Sequence, residues 1–283
     1  MRAWLDHLAQ TSSFLQSMPA ELVYGVAMLV AAGIILTFAA VTAGETVWME
    51  RRVAGRMQAR YGPNRVGPQG LLQFLADALK LIGKEDAVPN MAARLPFLVA
   101  PIIVFIGAFA PFAVIPFGHA IVAADMNIGL LLVLAISSLE VVGIILAGWA
   151  SNSKWAVLGS MREIAQMVSY EIPLALAALV VVVLGGSMNL TTLVEQQSGG
   201  LWNWYVFRGP FTFIAFFIFG AAMLAELKRA PFDLPEAESE LVAGFFTEYT
   251  GFRFAVFFLG EYAAMILMGM VASILFLGGW DPG

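Results

Sequence analysis

Six apolar stretches, each long enough to cross a lipid bilayer as a helix, constrain what this chain can fold into. A hydrocarbon core of about 30 Å requires roughly 20 apolar residues in a helix. The chain is 60% hydrophobic and 12% charged, with a mean hydropathy of +0.83. Soluble domains carry about twice that charge, so the sequence predicts an all-α integral membrane bundle. The six predicted spans are Leu22–Ala43, Leu95–Pro116, Ile128–Ala150, Ile164–Leu184, Phe211–Leu227 and Phe252–Leu277.

The distribution of charge predicts how the bundle is organised. No polar or Ser/Gly-rich linker divides residues 1–283, so we expect a single transmembrane domain with structured cytoplasmic loops at about 44–94 and 228–251. Of the 15 Lys and Arg residues, all but Arg2 and Arg208 fall in segments 44–94, 151–163 and 228–253. Cytoplasmic loops are enriched in Lys and Arg, so these segments are predicted to be cytoplasmic and the N-terminus to lie outside the cytoplasm.

The loop 44–94 has a basic part and an amphipathic part. Four arginines recur at helical spacing: Arg51, Arg52, Arg56 and Arg60. The first helix is therefore expected to continue past the membrane surface, as far as the turn-rich stretch Gly62–Pro68. Leu71–Lys84 has its apolar residues on one face and is too short to span, which is typical of an interfacial helix. The arginines either anchor lipid headgroups or line a polar chamber and dock an acidic soluble partner.

Side chains that bind metals are scarce. The chain has no cysteine, which excludes a disulfide or a thiolate-held iron–sulfur cluster within it. Its two histidines, His7 and His119, are far apart in the sequence and lie outside the apolar stretches. No metal site is therefore expected.

Carboxylates inside the predicted spans are the strongest functional signal. Glu140 and Glu261 each lie about ten residues into a span, which at 1.5 Å per residue is roughly 15 Å deep. Glu171 lies somewhat shallower, and Glu45 and Glu226 lie near the cytoplasmic edge. Intramembrane acids usually face the bundle interior and mark proton or ion paths, so this ladder predicts a proton half-channel. No basic residue is expected at the same depth, which argues against structural ion pairs. The alternative is that each acid is protonated and merely joins helices by hydrogen bonds.

The segment Ala225–Gly251 between the last two predicted spans is unusually acidic for a cytoplasmic loop. It carries six carboxylates: Glu226, Asp233, Glu236, Glu238, Glu240 and Glu248. A solvated linker does not need three Glu at alternate positions followed at once by an apolar run. This segment is therefore predicted to be functional, with much of the remaining chain as its frame.

Four segments carry a family resemblance. They are Glu50–Asp86, Ser137–Trp155, Arg162–Pro173 and Ala225–Tyr249. Together they resemble the H subunit of NADH-quinone oxidoreductase, the membrane subunit at the heel of respiratory complex I and the counterpart of mitochondrial NADH dehydrogenase subunit 1. The resemblance covers nearly all of the chain from Glu45 onward.

The resemblance implies a subunit of the proton-translocating NADH:quinone oxidoreductase in the bacterial inner membrane. In that family the subunit forms the membrane part of the quinone chamber and supports the hydrophilic arm. Quinone is then a substrate at a shared site, and this chain supplies no catalytic redox group. The implied partners are the quinone-site and iron–sulfur subunits of the arm, small membrane subunits, antiporter-like subunits and membrane lipid, with no nucleic acid.

The resemblance also implies roles for individual residues. Those expected in the quinone chamber are Glu50, Arg51, Arg60, Asp77, Asp233, Glu236, Glu238 and Glu240. Those expected in the proton path are Glu45, Glu140, Glu171, Glu226 and Glu261.

One departure from the family and two alternative functions complete these expectations. Family members have eight membrane helices, so two further helices are expected either to be truncated here or to be supplied by another polypeptide. The first alternative is the equivalent subunit of a membrane-bound hydrogenase or ferredoxin-linked complex. The second is a free-standing secondary transporter that uses buried carboxylates. The long basic segment, and the lack of broken-helix Gly/Pro pairs in matching halves, argue against the transporter.

Overall fold

The computed structural model describes residues 20–119, 121–233 and 238–281. Within these ranges the chain forms α-helices joined by turns and short 3-10 segments, with no β-strand, which confirms the predicted all-α class. The helices are α1 (Ala20–Met57), α2 (Gln73–Ile82), α3 (Arg94–Phe109), α4 (Gly129–Ser137), α5 (Leu139–Ala150), α6 (Lys154–Gly185), α7 (Leu190–Glu195), α8 (Pro210–Glu226), α9 (Glu238–Leu241) and α10 (Gly251–Phe276).

Five helical segments of the described chain are long and apolar enough to cross a membrane. They are α1, α3 with the 3-10 turn that follows it, α4 together with α5, α6, and α10. The fifth predicted span corresponds to α8, an apolar helix of 17 residues that is shorter than the other five. Six spans therefore stay a prediction, while five are supported by length and composition.

The long first helix and the amphipathic helix both match the sequence pattern. Helix α1 runs on to Met57, well past the predicted membrane edge at Ala43. Arg51, Arg52 and Arg56 lie on this extension, and Arg60 follows it in the turn. Helix α2 occupies the centre of the predicted interfacial helix and has no fully buried residue.

The third predicted span is interrupted for one residue, at Ser138. Helix α4 ends at Ser137 and α5 begins at Leu139. The hydroxyls of Ser137 and Ser138 donate to the carbonyl oxygens of Leu134 and Ala135, each at 3.0 Å. Such bonds to preceding carbonyls often bend helices. The break brings Glu140 into the first turn of α5.

The centre of the bundle is formed by α3, α5, α6 and α10, with α8 packed along α6. Helix α1 lies at the periphery, where its main partners are α10 and α2. Glycines allow the central helices to approach closely. A Cβ atom on Gly143 of α5 would lie 3.0 Å from the amide nitrogen of Val104 on α3. A Cβ atom on Gly159 of α6 would lie 2.7 Å from the Cα of Gly244, so the loop before α10 rests directly on α6.

A buried glutamine ties the far end of the bundle together. The side chain of Gln197 is fully buried and donates to the carbonyl oxygens of Leu193 (3.0 Å) and Ile274 (2.8 Å). Its carbonyl oxygen accepts from the amides of Tyr205 and Gly278, each at 3.1 Å. These bonds connect α7 and the loop after it to the end of α10.

Candidate functional site

Acidic side chains from four helices meet in the interior of the bundle. Glu140 on α5, Glu226 at the end of α8 and Glu261 on α10 line one small cavity with Lys228. Its volume of about 10 Å³ is close to the space that a single water molecule needs. Glu163 on α6 lies beside this group and is fully buried. We call Glu140, Glu163, Glu226 and Glu261 the carboxylate cluster.

The carboxylate cluster contains an amino group. The side chain of Lys228 is 5% exposed, and its Nζ lies 2.7 Å from Oε1 of Glu163 and 3.3 Å from Oε1 of Glu140. Burial acts to lower the pKa of Lys228, but the carboxylates of Glu163 and Glu140 outweigh it, so the pKa lies above its usual value. Lys228 is therefore a cation at neutral pH.

The turn after α8 directs Lys228 inward. The backbone of Lys228 is in the left-handed region with a φ of 56°, which non-glycine residues seldom adopt. The side-chain amide of Gln166 on α6 donates to the carbonyl oxygens of Ala225 (2.7 Å) and Phe232 (2.8 Å). Because these two carbonyls lie before and after Lys228, Gln166 holds both sides of the turn against α6.

A second cation, Arg229, connects the cluster to the bundle surface. Its guanidinium lies 3.0 Å from Oε1 of Glu261 and 3.0 Å from Oε1 of Glu50. The ring of Tyr262 lies below it, 4.5 Å from Cζ to the ring centroid. The Tyr262 hydroxyl donates to the other oxygen of Glu50 at 2.6 Å. Glu50 at the end of α1 is thus joined to Glu261 inside the bundle through one guanidinium.

These contacts correct the expectation that no basic residue accompanies the buried acids. Glu140, Glu163 and Glu261 are all in ion pairs. The reason is geometric. The sequence gives the position of each acid along its helix, but it does not show that the loop after α8 leaves the surface. Instead the turn at Lys228 and Arg229 folds back beside the ends of α8 and α6.

A larger cavity opens on the other side of Arg229. It has a volume of about 650 Å³, and Glu50, Arg51, Arg60 and Tyr262 are among the residues that line it. We call it the surface cavity. Three residues predicted for the quinone chamber, Glu50, Arg51 and Arg60, therefore share one cavity.

Asp77 adjoins the surface cavity through Arg51. The carboxylate of Asp77 on α2 accepts from Nη1 of Arg51 at 2.6 Å. Partial burial acts to raise the pKa of Asp77, but the hydrogen bonds from Arg51 and Gln73 and the nearby positive charges outweigh it. Its pKa therefore lies below the usual 3.8, and the pair is ionised at neutral pH.

The other predicted residues belong to neither the carboxylate cluster nor the surface cavity, although one of them, Glu171, interacts with a cluster member. Glu240 on α9 is exposed and pairs with Arg162 at 2.6 Å, and Asp233 is exposed in the loop. Glu45 is on an exposed face of α1. Glu171 on α6 is half-buried and interacts electrostatically with Glu226. Glu236 and the side chain of Glu238 lie outside the described residues.

Sequence reasoning missed Glu163, Lys228 and Arg229. Glu163 was placed in a cytoplasmic segment, because the apolar run begins at Ile164. Helix α6 in fact begins at Lys154, so Glu163 lies on a continuous helix packed against α5 and α8. Lys228 and Arg229 follow directly after the apolar run of α8. Their position could have indicated that the buried acids have positively charged partners.

Comparisons with known proteins agree with the sequence pattern. Residues 29–283 match the family model described as NADH dehydrogenase. A protein from Rhodospirillum centenum is 55% identical over 236 residues, which is 83% of this chain and 68% of the relative. One from Anaeromyxobacter dehalogenans is 50% identical over 256 residues, which is 90% of this chain and 62% of the relative. One from Chlorobaculum parvum is 51% identical over 236 residues, which is 83% of this chain and 66% of the relative.

All three relatives are named as the H subunit of NADH-quinone oxidoreductase. The chain spans about two thirds of their length, with shares of 62%, 66% and 68%. The family model covers nearly all of the sequence, including every helix that contributes to the carboxylate cluster. The chain belongs to the NADH dehydrogenase family, alongside the NADH-quinone oxidoreductase H subunits.

Proposed function

We propose that this chain is the membrane subunit of a proton-translocating NADH:quinone oxidoreductase. In this role it forms part of the quinone-binding chamber and the start of the proton path. The names of relatives at 50% to 55% identity support the assignment to such an enzyme. The geometry of the surface cavity and the carboxylate cluster supports the two specific roles.

The observation that carries the proposal is the link through Arg229. Glu50 lines the surface cavity and Glu261 lines the inner cavity, and one guanidinium contacts both carboxylates at 3.0 Å. A change of charge in the surface cavity therefore alters the field at Glu261 over a short distance through poorly screened surroundings. This is the connection that coupling of quinone chemistry to proton movement requires.

The surface cavity suits a quinone headgroup. Ligand pockets commonly have volumes of about 300–1,000 Å³ and combine apolar walls with a few polar groups. The volume of about 650 Å³ falls in this range, and its lining includes Phe258 and Tyr262 beside Glu50, Arg51 and Arg60. Arg51 is held in place by Asp77. The predicted chamber residues Asp233, Glu236, Glu238 and Glu240 are assigned to the loop that faces the arm, on the strength of the resemblance alone.

Quinone reduction supplies the driving event in this proposal. Two-electron reduction of quinone places negative charge in the chamber until protons arrive. Negative charge beside Glu50 weakens the hold of Glu50 on Arg229 and favours protonation of nearby acids. The cluster residues Glu140, Glu226 and Glu261, with Glu171 and Glu45 toward the edge, then relay protons.

The proposal includes partners and a location. The cytoplasmic loops 44–94 and 228–251 would receive the quinone-site and iron–sulfur subunits of the hydrophilic arm. Small membrane subunits and antiporter-like subunits would pack against the bundle in the bacterial inner membrane. Copurification separates this arrangement from a free-standing transporter, since the chain is expected to leave the membrane only with a large complex.

The proton path is tested with Glu140→Gln and Glu261→Gln in the assembled complex. In inverted membrane vesicles we expect each variant to keep NADH oxidation with an artificial acceptor and to lose most NADH-driven proton uptake. The matched control is Glu195→Gln, which removes a half-exposed carboxylate on α7 outside the proposed path. Proton uptake at the wild-type rate in both Glu140→Gln and Glu261→Gln would refute the role of the cluster.

A further inference from the structure

A lysine in the middle of an acidic cluster requires an explanation beyond packing. Lys228 is buried, yet its side chain carries a positive charge and contacts carboxylates from two different helices. Burying a charge is unfavourable unless close partners compensate it. The backbone of Lys228 is also in the left-handed region, which non-glycine residues seldom adopt. The chain thus combines two unfavourable features to bring this ammonium to the cluster.

The ammonium of Lys228 lies between two carboxylates and is closer to one of them. Its Nζ is 2.7 Å from Glu163 on α6 and 3.3 Å from Glu140 on α5. A third neighbour is the ring of Phe245, with its centroid 5.8 Å from Nζ. One positive charge can neutralise only one of the two carboxylates in full. The other carboxylate must be neutralised by a proton or left with a partial counter-charge.

The surrounding groups do not relieve this imbalance. Arg229 is engaged by Glu261 and Glu50. The remaining cluster member, Glu226, has its Oε2 buried and accepts no hydrogen bond there from the described residues. The cluster therefore contains four carboxylates around two cations, and charge neutrality requires protons on some of the acids.

We propose that Lys228 is a shared counter-ion that couples the protonation of Glu140 to that of Glu163. When Glu140 is protonated, it no longer attracts the ammonium of Lys228. The ammonium then neutralises the charge of Glu163 in full. Departure of that proton restores the shared state. Lys228 is a positioning residue in this scheme, because it sets the charge of its neighbours and does not itself carry the proton. The inference rests on the proposed proton path.

The experiment compares three substitutions in inverted membrane vesicles that contain the assembled complex. Lys228→Met removes the charge and keeps a side chain of similar length. Lys228→Arg keeps the charge. Lys154→Met is the matched control, because Lys154 is exposed at the start of the same helix that carries Glu163. For each variant we measure the amount of complex, NADH oxidation with an artificial acceptor, and protons translocated per NADH between about pH 6 and pH 9, a range wide enough to show the shift of a buried acid that titrates near neutrality.

We expect Lys228→Met to assemble and oxidise NADH but to translocate about tenfold fewer protons per NADH near pH 7. The reason is that a tenfold higher proton affinity leaves only about one tenth as many of the acids free to release a proton. Without the ammonium the acids hold protons more tightly, so translocation recovers on the alkaline side. The midpoint of the pH profile then moves upward by about 1 to 3 pH units, the usual influence of an adjacent opposite charge. Lys228→Arg restores the wild-type ratio. A purely structural lysine would change the amount of complex without changing the ratio or the profile.

Two results would overturn the inference: a wild-type ratio and pH profile in Lys228→Met, or equal impairment of Lys228→Arg and Lys228→Met. If Lys228→Met does not assemble, the charge-balanced variant Lys228→Met/Glu163→Gln takes its place, and wild-type translocation in it also overturns the inference. Glu140→Gln in the same membranes separates the two proposals. Wild-type translocation in both Glu140→Gln and Glu261→Gln refutes the proton path itself, whereas loss in Glu140→Gln with retention in Lys228→Met refutes only the counter-ion.

Discussion

At the scale of single residues, the guanidinium of Arg229 joins a carboxylate that lines the surface cavity to a carboxylate that lines the inner cavity. It contacts Glu50 on one side and Glu261 on the other, each at 3.0 Å, and lies over Tyr262. A planar guanidinium presents several donors in a fixed fork, so one side chain can hold two carboxylates at once. Glu50 lies against Nη1 and Glu261 against Nη2, so the single nitrogen of a lysine at this position cannot reproduce the arrangement.

The first residue-scale prediction follows from that difference. Arg229→Lys should retain the charge but hold only one of the two carboxylates, so we expect proton translocation per NADH to fall while quinone-independent NADH oxidation is unchanged. Arg229→Gln should reduce the ratio further. The control is Arg208→Gln, which removes an arginine that bonds the Gln196 carbonyl outside the site. Equal ratios in Arg229→Lys and the wild type would contradict a bridging role.

The second residue-scale prediction concerns pH. The pKa of Asp77 is lowered in the folded chain, so its pair with Arg51 stabilises the fold above the usual pKa of 3.8 and the stabilisation is lost as pH falls below it. We expect Asp77→Asn to lower the midpoint of thermal unfolding at pH 7 by a small amount, because the pair is partly exposed and such pairs contribute about 0–1 kcal/mol. The difference from the wild type should shrink as pH falls below 3.8 and vanish once pH lies below the lowered pKa of Asp77. A difference that is unchanged at acid pH would show that the effect does not come from the ionised pair.

At the scale of helices and loops, close contact between backbones decides where the acids lie. The approach of α3 to α5 at Gly143 leaves no room for a side chain, and the same interface carries Glu140. The turn that follows α8 is similarly fixed by Gln166. The positions of the acids therefore depend on contacts between elements that are distant in sequence.

The helix interface gives a prediction with an internal control. Gly143→Ala places a methyl group 3.0 Å from the amide nitrogen of Val104 and should destabilise the fold by about 1–3 kcal/mol, the usual cost of overpacking. Gly33→Ala on α1 has nothing within 4 Å of the new Cβ. It should be neutral or slightly stabilising, because Ala favours a helix over Gly. Thermal unfolding of this chain in the purified complex, in detergent, measures both. Equal midpoints for the two variants would contradict the close approach.

These elements also show how far the sequence determines the site. Five of the six spans were predictable because apolar length is a local property, and the inward position of Glu140 and Glu261 was predictable because each acid lies within an apolar run. The pairing of Lys228 with Glu140 and Glu163 was not predictable, because it depends on a left-handed residue and on Gln166 bonding to a turn about sixty residues away. The break at Ser138 was missed for a related reason. Two serines in an apolar run do not by themselves indicate that their hydroxyls bond to preceding carbonyls.

At the scale of the whole molecule, the two ends of the bundle are stabilised in different ways. The end that carries the Lys- and Arg-rich loops has cavities, ion pairs and exposed arginines. The opposite end is tied together by Gln197, and its cavity of about 370 Å³ has a mostly apolar lining that includes Ile115, Phe117 and Trp280. We expect the first end to face the cytoplasm.

Membrane orientation can be tested directly because the chain has no cysteine. Single cysteines introduced at Met91 and Trp202 replace side chains that are 78% and 84% exposed, in loops predicted to lie on opposite sides. A membrane-impermeant thiol reagent should label Met91→Cys in inverted vesicles and Trp202→Cys in right-side-out spheroplasts. Labelling of both from the same side would refute the predicted topology, and the unsubstituted chain serves as the blank.

The peripheral position of α1 has a consequence for how the protein is made. Helix α1 emerges from the ribosome early, but one of its main partners is α10, which can form only after every intervening helix has been synthesised. Contacts between distant parts of a chain form slowly because a long loop must close first. During synthesis α1 is therefore in the lipid before α10 exists, and the side of α1 that later contacts α10 is uncovered. The wall between α1 and α10, which borders the surface cavity, is then among the late parts of the bundle to assemble, and the surface cavity is complete only once α10 has been synthesised.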